Sequence, residues 1–301
     1  MQAIDDNMHE VAQTAGDKIM EWLAVLAARD IDYHLEQADG LWRILVPAPA
    51  EDEARAELAA YEEDELRRAA RREPDEREPA GHVSWSPVWV CCCLLFFYMK
   101  FGEYHASNAI LSRAVADARL ILQDGEWWRL VTALTIHGGA PHLLGNMLAL
   151  LFFGWGVCGL FGGGLGWLLI LAAGVAGNFT AAWFQSAHTV SFGASTAGFA
   201  ALGIMSIRQT VQLSRREGFG GLGRRAWLPL GAGFALLTLL GTGPQSDLTA
   251  HLAGYGWGCL LGLPFSLPRE VRLAPWLQWL LQVACLLVLL AAWRIVLYAA
   301  G

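Results

Sequence analysis

The spacing of apolar residues changes character along the chain. Between 8 and 28, Val11, Ile19, Trp22, Leu23 and Leu26 recur at helical intervals. Two short stretches, DYHLEQ and LWRILVP, then alternate as strands do around Ala38-Asp39-Gly40, which predicts a hairpin. The run EDEARAELAAYEEDELRRAARR, after Pro49, reads as a charged helix. Helix, strand, strand, helix predicts a small α+β domain over 1–72. REPDEREPAGH, with two prolines, reads as a solvated tether, placed at 73–83. Beyond it the pattern turns almost wholly apolar, in seven segments near the ~20 residues that cross a bilayer. Their approximate limits are 84–101, 142–161, 164–185, 191–209, 226–243, 248–267 and 275–298. The third and fourth are rich in glycine and are expected to pack centrally.

Composition sharpens this division. The 301 residues are 55% hydrophobic, above the usual globular range, which favours a membrane protein. Residues 1–82 carry 21 Asp/Glu against 9 Lys/Arg, and the remainder 7 against 12. Neither half has a dense basic stripe, so nucleic acid is not an expected partner. The first twenty residues are acidic and lack an apolar run, so no cleavable signal is expected and the N-terminus is placed in the cytoplasm. The six cysteines lie inside apolar stretches without paired ligand spacing, which predicts no disulfides and no metal site.

Arginines set the expected orientation. Arg215, Arg216, Arg224 and Arg225 follow segment four, Arg269 and Arg272 follow segment six, and Arg67, Arg68, Arg71, Arg72 and Arg77 precede segment one. The positive-inside rule places these on the cytoplasmic side. The connection from 102 to the second segment is too apolar for a solvated loop. It is expected to rest in the interface, with Trp127, Trp128 and Arg129 at headgroup depth.

This topology brings a few polar residues to one level. His142 and Asn146 enter with segment two, Ser195 about five residues into segment four, and His251 with segment six just after Asp247. At ~1.5 Å per residue all four lie within about 10 Å of the outer helix ends. Singly, each has a plainer role: a membrane serine bonds its own helix carbonyl, and a terminal histidine snorkels. Together they are costly in hydrocarbon unless paired, and the available partners share their depth. Gly254 and Gly258 leave the face below His251 bare, and Gly198 does the same below Ser195, so the two helices can approach closely. Serine and histidine within reach make a nucleophile and its base. His142, Asn146 and the Ser195 N–H offer donors to an oxyanion. No acid other than Asp247, at the rim, shares their level, which predicts a Ser-His dyad.

At these residues the chain resembles the rhomboid intramembrane serine proteases. The resemblance runs from Trp127-Trp128-Arg129 through His137-xxxx-His142-xxx-Asn146 and Gly193-Ala194-Ser195 to Ala250-His251-xx-Gly254. A lone GxS is a weak signal, but four motifs in this order are a strong one. The resemblance implies an all-α polytopic membrane protein, with a six-helix rhomboid-like core, a C-terminal seventh helix and a small α+β N-terminal cytosolic domain. The transmembrane domain then spans 84–301. It implies Ser195 as nucleophile and His251 as base, with His142, Asn146 and the Ser195 N–H as the oxyanion hole. Gly193, Phe199, Gly254 and Gly258 are supporting residues, and the Phe199 ring packs on the histidine. The fifth segment and the GTGPQSD loop become gate and cap.

The expected reaction is hydrolysis of a peptide bond in or near a transmembrane segment of a protein substrate, within the lipid bilayer and without cofactor or metal. The expected location is a bacterial inner (cell) membrane, with the N-terminus cytoplasmic and the active site near the outer face. The runner-up is a catalytically inactive rhomboid-like protein that binds membrane clients. A transporter would want charges along a mid-membrane path, and a zinc protease would want HExxH, which is absent. One position departs from the family pattern: Thr196 stands where a glycine usually follows the serine.

Overall fold

The computed structural model of the chain describes residues 7–16, 18–71, 84–186, 189–217, 224–241, 246–267, 271 and 273–298. The tether expected at 73–83 lies outside them. The chain divides into two compact units, Met1–Ala80 and Gly81–Gly301.

The first unit holds β1 (Met8–Thr14), α1 (Ile19–Ala27), β2 (His34–Ala38), β3 (Leu41–Pro47) and α2 (Glu51–Arg71). Asp39 and Gly40, both at positive φ, turn β2 directly into β3, the geometry a two-residue hairpin needs. The sheet order is β1-β3-β2, antiparallel throughout. Trp22 and Leu26 of α1 and Ala54 and Leu58 of α2 bury against Ile44 and Val46 of the central strand. The helix expected from residue 8 is corrected here, because Met8–Thr14 is a strand that pairs with β3. Only Ile19, Trp22, Leu23 and Leu26 have consistent helical spacing, and Gly16, at φ 123°, separates them from the strand.

The second unit begins with α3 (Ser86–Phe101). A folded connection follows, containing α4 (Ala109–Ser112), β4 (Ala116–Asp117), α5 (Ala118–Leu122) and α6 (Arg129–Thr132). Next come α7 (Ala140–Phe161), α8 (Gly163–Phe184), β5 (Val190–Ser191), α9 (Ser195–Glu217), α10 (Leu228–Gly241), α11 (Leu248–Ser266) and α12 (Pro275–Tyr298). Among the described residues, α7, α8 and α12 are long and apolar enough to cross a membrane by length and composition. The α9 helix is central, with Ala200, Ala201 and Ile204 fully buried. Glycine lets its neighbours close in: a Cβ at Gly258 would overlap the Ala200 carbonyl oxygen, and one at Gly203 the Tyr255 carbonyl oxygen. Outward-facing Leu148, Phe152, Leu239, Leu260 and Leu287 suit a hydrocarbon surround.

One expected boundary shifts. The segment expected at 191 becomes a helix only at Ser195, because Val190–Ser191 pairs with β4 instead. Arg129, expected at headgroup depth, is 3% exposed. Its guanidinium turns inward to the Glu126 carboxylate and to the carbonyls of Ser112 at 2.8 Å and Val115 at 2.9 Å. Those partners bring the connection together around a buried charge.

Candidate active site

Ser195 is the first residue of α9, so its hydroxyl and N–H stand at the positive end of a 23-residue helix. First-turn N–H groups lack intrahelical partners and are open to an anion. The chain reaches this position through Gly193 at φ 126°, a conformation that favours glycine.

His251 lies in the first turn of α11, capped by Asp247. The Ala250 N–H donates to Asp247 Oδ1 at 2.9 Å, and Gln185 Nε2 donates to the same oxygen at 2.6 Å. Ser195 Oγ and His251 Nε2 are 2.8 Å apart. Across the ring, Nδ1 is 3.1 Å from the carbonyl oxygen of Gly241, which closes α10. A carbonyl only accepts, so in the neutral imidazole the proton sits on Nδ1 and the Nε2 lone pair faces the serine hydroxyl. That is the tautomer a general base requires. The backbone carbonyl orients the ring as a carboxylate does in a triad. Phe199, one turn below Ser195, holds the imidazole from the side, with ring centroids 4.7 Å apart.

His142 is set the opposite way. The Gly138 N–H donates to its Nδ1 at 3.4 Å, so Nε2 carries the proton. That Nε2 faces Gly193: a Cβ built there would lie 2.8 Å from it and 3.4 Å from Asn146 Nδ2. Asn146 is 7% exposed, and its Nδ2 has no partner among the described residues. Two donors therefore look into one small space that exists because residue 193 has no side chain. A buried amide left without an acceptor costs about 1–3 kcal/mol.

Behind this space His137, 1% exposed, packs edge-on to His142 and accepts the Ala194 N–H at Nε2, 3.5 Å away. Burial, reinforced by the neighbouring His142, lowers its pKa to about 4, which leaves the ring neutral and able to accept.

Residues 124–268 match the Rhomboid domain. The chain carries a rhomboid domain. It is 32% identical over 176 residues to the rhomboid protease GluP of Bacillus subtilis, covering 57% of this chain and 33% of that protein. It is 35% identical over 150 residues to RHOMBOID-like protein 1 of Arabidopsis thaliana, covering 50% and 37%. The chain thus spans about a third of the length of these curated relatives. Family and apolar helices together make it an integral membrane protein.

Within this rhomboid domain the structure brings together every site residue expected from sequence: Ser195 with His251 and Phe199, and His142 and Asn146 around Gly193. Gly254 and Gly258 line the seam between α9 and α11. Thr196, the departure from the family pattern, is 3% exposed and directs Cγ2 into a gap left by two glycines. A Cβ at Gly177 of α8 would lie 2.7 Å from that methyl, and one at Gly254 of α11 would lie 3.0 Å from it. The branched side chain fills a three-helix junction and leaves the contact of Ser195 with His251 intact. Sequence reasoning passed over the Gly241 carbonyl and the Gly138 N–H, because backbone groups carry no residue-type signal.

Proposed function

We propose that this rhomboid domain is an intramembrane serine protease that hydrolyses peptide bonds in or near transmembrane segments of membrane proteins. The observation that carries the reading is the 2.8 Å pair of Ser195 and His251, held by backbone groups in the tautomer of a base, beside two side-chain donors at Gly193. Ser195 Oγ attacks the scissile carbonyl carbon while His251 Nε2 takes the hydroxyl proton. The carbonyl oxygen becomes an oxyanion and enters the space at Gly193, within reach of His142 Nε2–H, Asn146 Nδ2–H and the Ser195 N–H. The intermediate collapses as the C–N bond breaks, and His251 returns the proton to the leaving amine. Water, deprotonated by the same imidazole, then releases the acyl group and restores Ser195.

The helix count, the orientation and the first unit complete the proposal. Six helices, α3 and α7 to α11, form the core, and α12 is the seventh. The first unit is a cytosolic domain, the active site opens near the outer face, and the location is a bacterial inner membrane. The α10 helix acts as the gate. In support, it buries only Gly233, Leu237 and Gly241 among its described side chains and carries Phe234, Leu239 and Leu240 outward. Since Gly241 closes this helix, its seating also completes the orientation of His251.

The test is covalent labelling by a fluorophosphonate, with cleavage of a transmembrane reporter alongside. The parent should label at Ser195 and cut the reporter; Ser195→Ala and His251→Ala should insert and fold but do neither. A folded parent that resists labelling would instead support the client-binding alternative.

A further inference from the structure

The last helix, α12, makes side-chain hydrogen bonds to the rest of its unit near both of its ends. Near the start, the Gln278 amide enters the turn between α7 and α8. Its Nε2 donates to the Phe161 carbonyl at 2.7 Å, and its Oε1 accepts from the Gly164 and Leu165 N–H groups at 2.7 and 3.0 Å. One side chain thereby caps the end of one helix and the start of the next. In mid-helix, Val283, Leu286 and Leu289 line an apolar cavity of about 560 Å³ whose opposite wall includes Ala194 and Ala197 of the nucleophile segment. Near the other end, Ala292, Trp293 and Val296 are the buried residues of α12.

Trp293 stacks on Phe97 and Phe101 of α3, with centroids 4.9 and 4.8 Å away, and donates Nε1–H to Thr135 Oγ1 at 3.1 Å. Thr135 gives its own proton to the Thr132 carbonyl at 2.7 Å, so its oxygen accepts the indole N–H. Thr135 lies within the segment that fixes the approach to Ser195. Ala133 accepts the Gly193 N–H at 2.9 Å, and His137 accepts the Ala194 N–H at 3.5 Å. A continuous set of bonds therefore runs from Trp293 through Thr135 and the 133–137 backbone to Gly193 and Ala194. It ends at the N–H of Ser195 and at the space faced by His142 and Asn146.

We propose that α12 is a positioning element for the oxyanion pocket, and that Trp293 is the residue through which it acts. The inference rests on the protease reading of that pocket. The α12 helix reaches no substrate. It holds the 133–137 segment in register, and with it the backbone that presents the donors, through the Trp293–Thr135 bond. A Trp293 that merely anchored a lipid-facing helix would need its rings and not its N–H. The hydrogen bond from the indole to Thr135 marks the difference.

Three proteins decide it: the parent, Trp293→Phe, which keeps a ring between Phe97 and Phe101 but loses the donor, and Gln278→Leu, which loosens the far end of the same helix. Trp293→Phe should lower kcat on a transmembrane reporter by about 5- to 20-fold with KM unchanged, a fraction of the roughly 10²–10³ that loss of a whole oxyanion donor costs. Hydrogen exchange at the Gly193 and Ala194 amides should speed up in Trp293→Phe and not in Gln278→Leu. Gln278→Leu should lower the unfolding temperature while keeping kcat. Unchanged exchange at those amides in Trp293→Phe overturns the inference, as does a matching fall of kcat in Gln278→Leu, since both would reduce α12 to an anchor. If the folded parent neither labels nor cleaves, the protease reading fails, and the exchange comparison still decides whether α12 sets the backbone at Gly193.

Discussion

Replacing Gly254 by alanine perturbs the seam between α9 and α11, which carry Ser195 and His251. A Cβ at this position would overlap the Thr196 carbonyl oxygen, and would stand 3.0 Å from Thr196 Cγ2 and 3.2 Å from its carbonyl carbon. Carbon contacts settle at about 3.5–4.0 Å. The closest clash is with backbone, so no rotamer change relieves it, and α9 and α11 must separate by roughly 1 Å. Ser195 heads one of these helices and His251, one turn before Gly254, sits on the other, so their 2.8 Å hydrogen bond would stretch beyond useful length. A misplacement of about 1 Å costs roughly 10²-fold in rate, and overpacking of this kind costs about 1–3 kcal/mol of stability. The measurement is the rate of fluorophosphonate labelling at Ser195 in detergent, normalised to folded protein by thermal unfolding. Gly256→Ala is the matched control on the same helix, because a Cβ there meets nothing within 4 Å. Gly256→Ala should label as the parent does and Gly254→Ala about 10²-fold more slowly. Equal labelling of a folded Gly254→Ala would show that the contact between α9 and α11 does not set the Ser195–His251 geometry.

Asn146→Ala should lower kcat by roughly 10²-fold. It should leave the unfolding temperature unchanged or higher, because the Nδ2 it removes has no partner among the described residues; a large drop in stability would mean that the amide is structural. Thr196→Gly empties the junction between Gly177 and Gly254 and should cost about 1–3 kcal/mol, read as a lower unfolding temperature; a variant as stable as the parent would refute the filling role. A truncation that begins at residue 81 should still label at Ser195, since each unit has its own core; loss of labelling in a well-folded truncation would assign the first unit a part in the chemistry.

Sequence alone was enough to mark the division into an acidic part and an apolar part, and to single out Ser195, His251, His142 and Asn146 as residues expected at one depth. Hydrophobic spacing reports which residues avoid water, and the ~1.5 Å rise of a helix turns position along a segment into depth. It was enough, too, to point to the contact between α9 and α11, because Gly254 and Gly258 recur on the face of His251. Spacing failed where pairing with a distant strand outweighed local periodicity. Met8–Thr14 became a strand against Leu41–Pro47, and Val190–Ser191 paired with Ala116–Asp117, which moved Ser195 to the head of its helix. Arg129 turned inward because carbonyls at Ser112 and Val115, far from it in sequence, converge on its guanidinium.

The protonation pattern of the site belongs wholly to the tertiary structure. Two histidines identical in sequence take opposite tautomers because the Gly241 carbonyl meets one and the Gly138 N–H meets the other. Residue identity says which side chains can exchange a proton. Which ring nitrogen holds it depends on backbone groups that every residue carries, so only folding, by choosing which of them arrive, decides it.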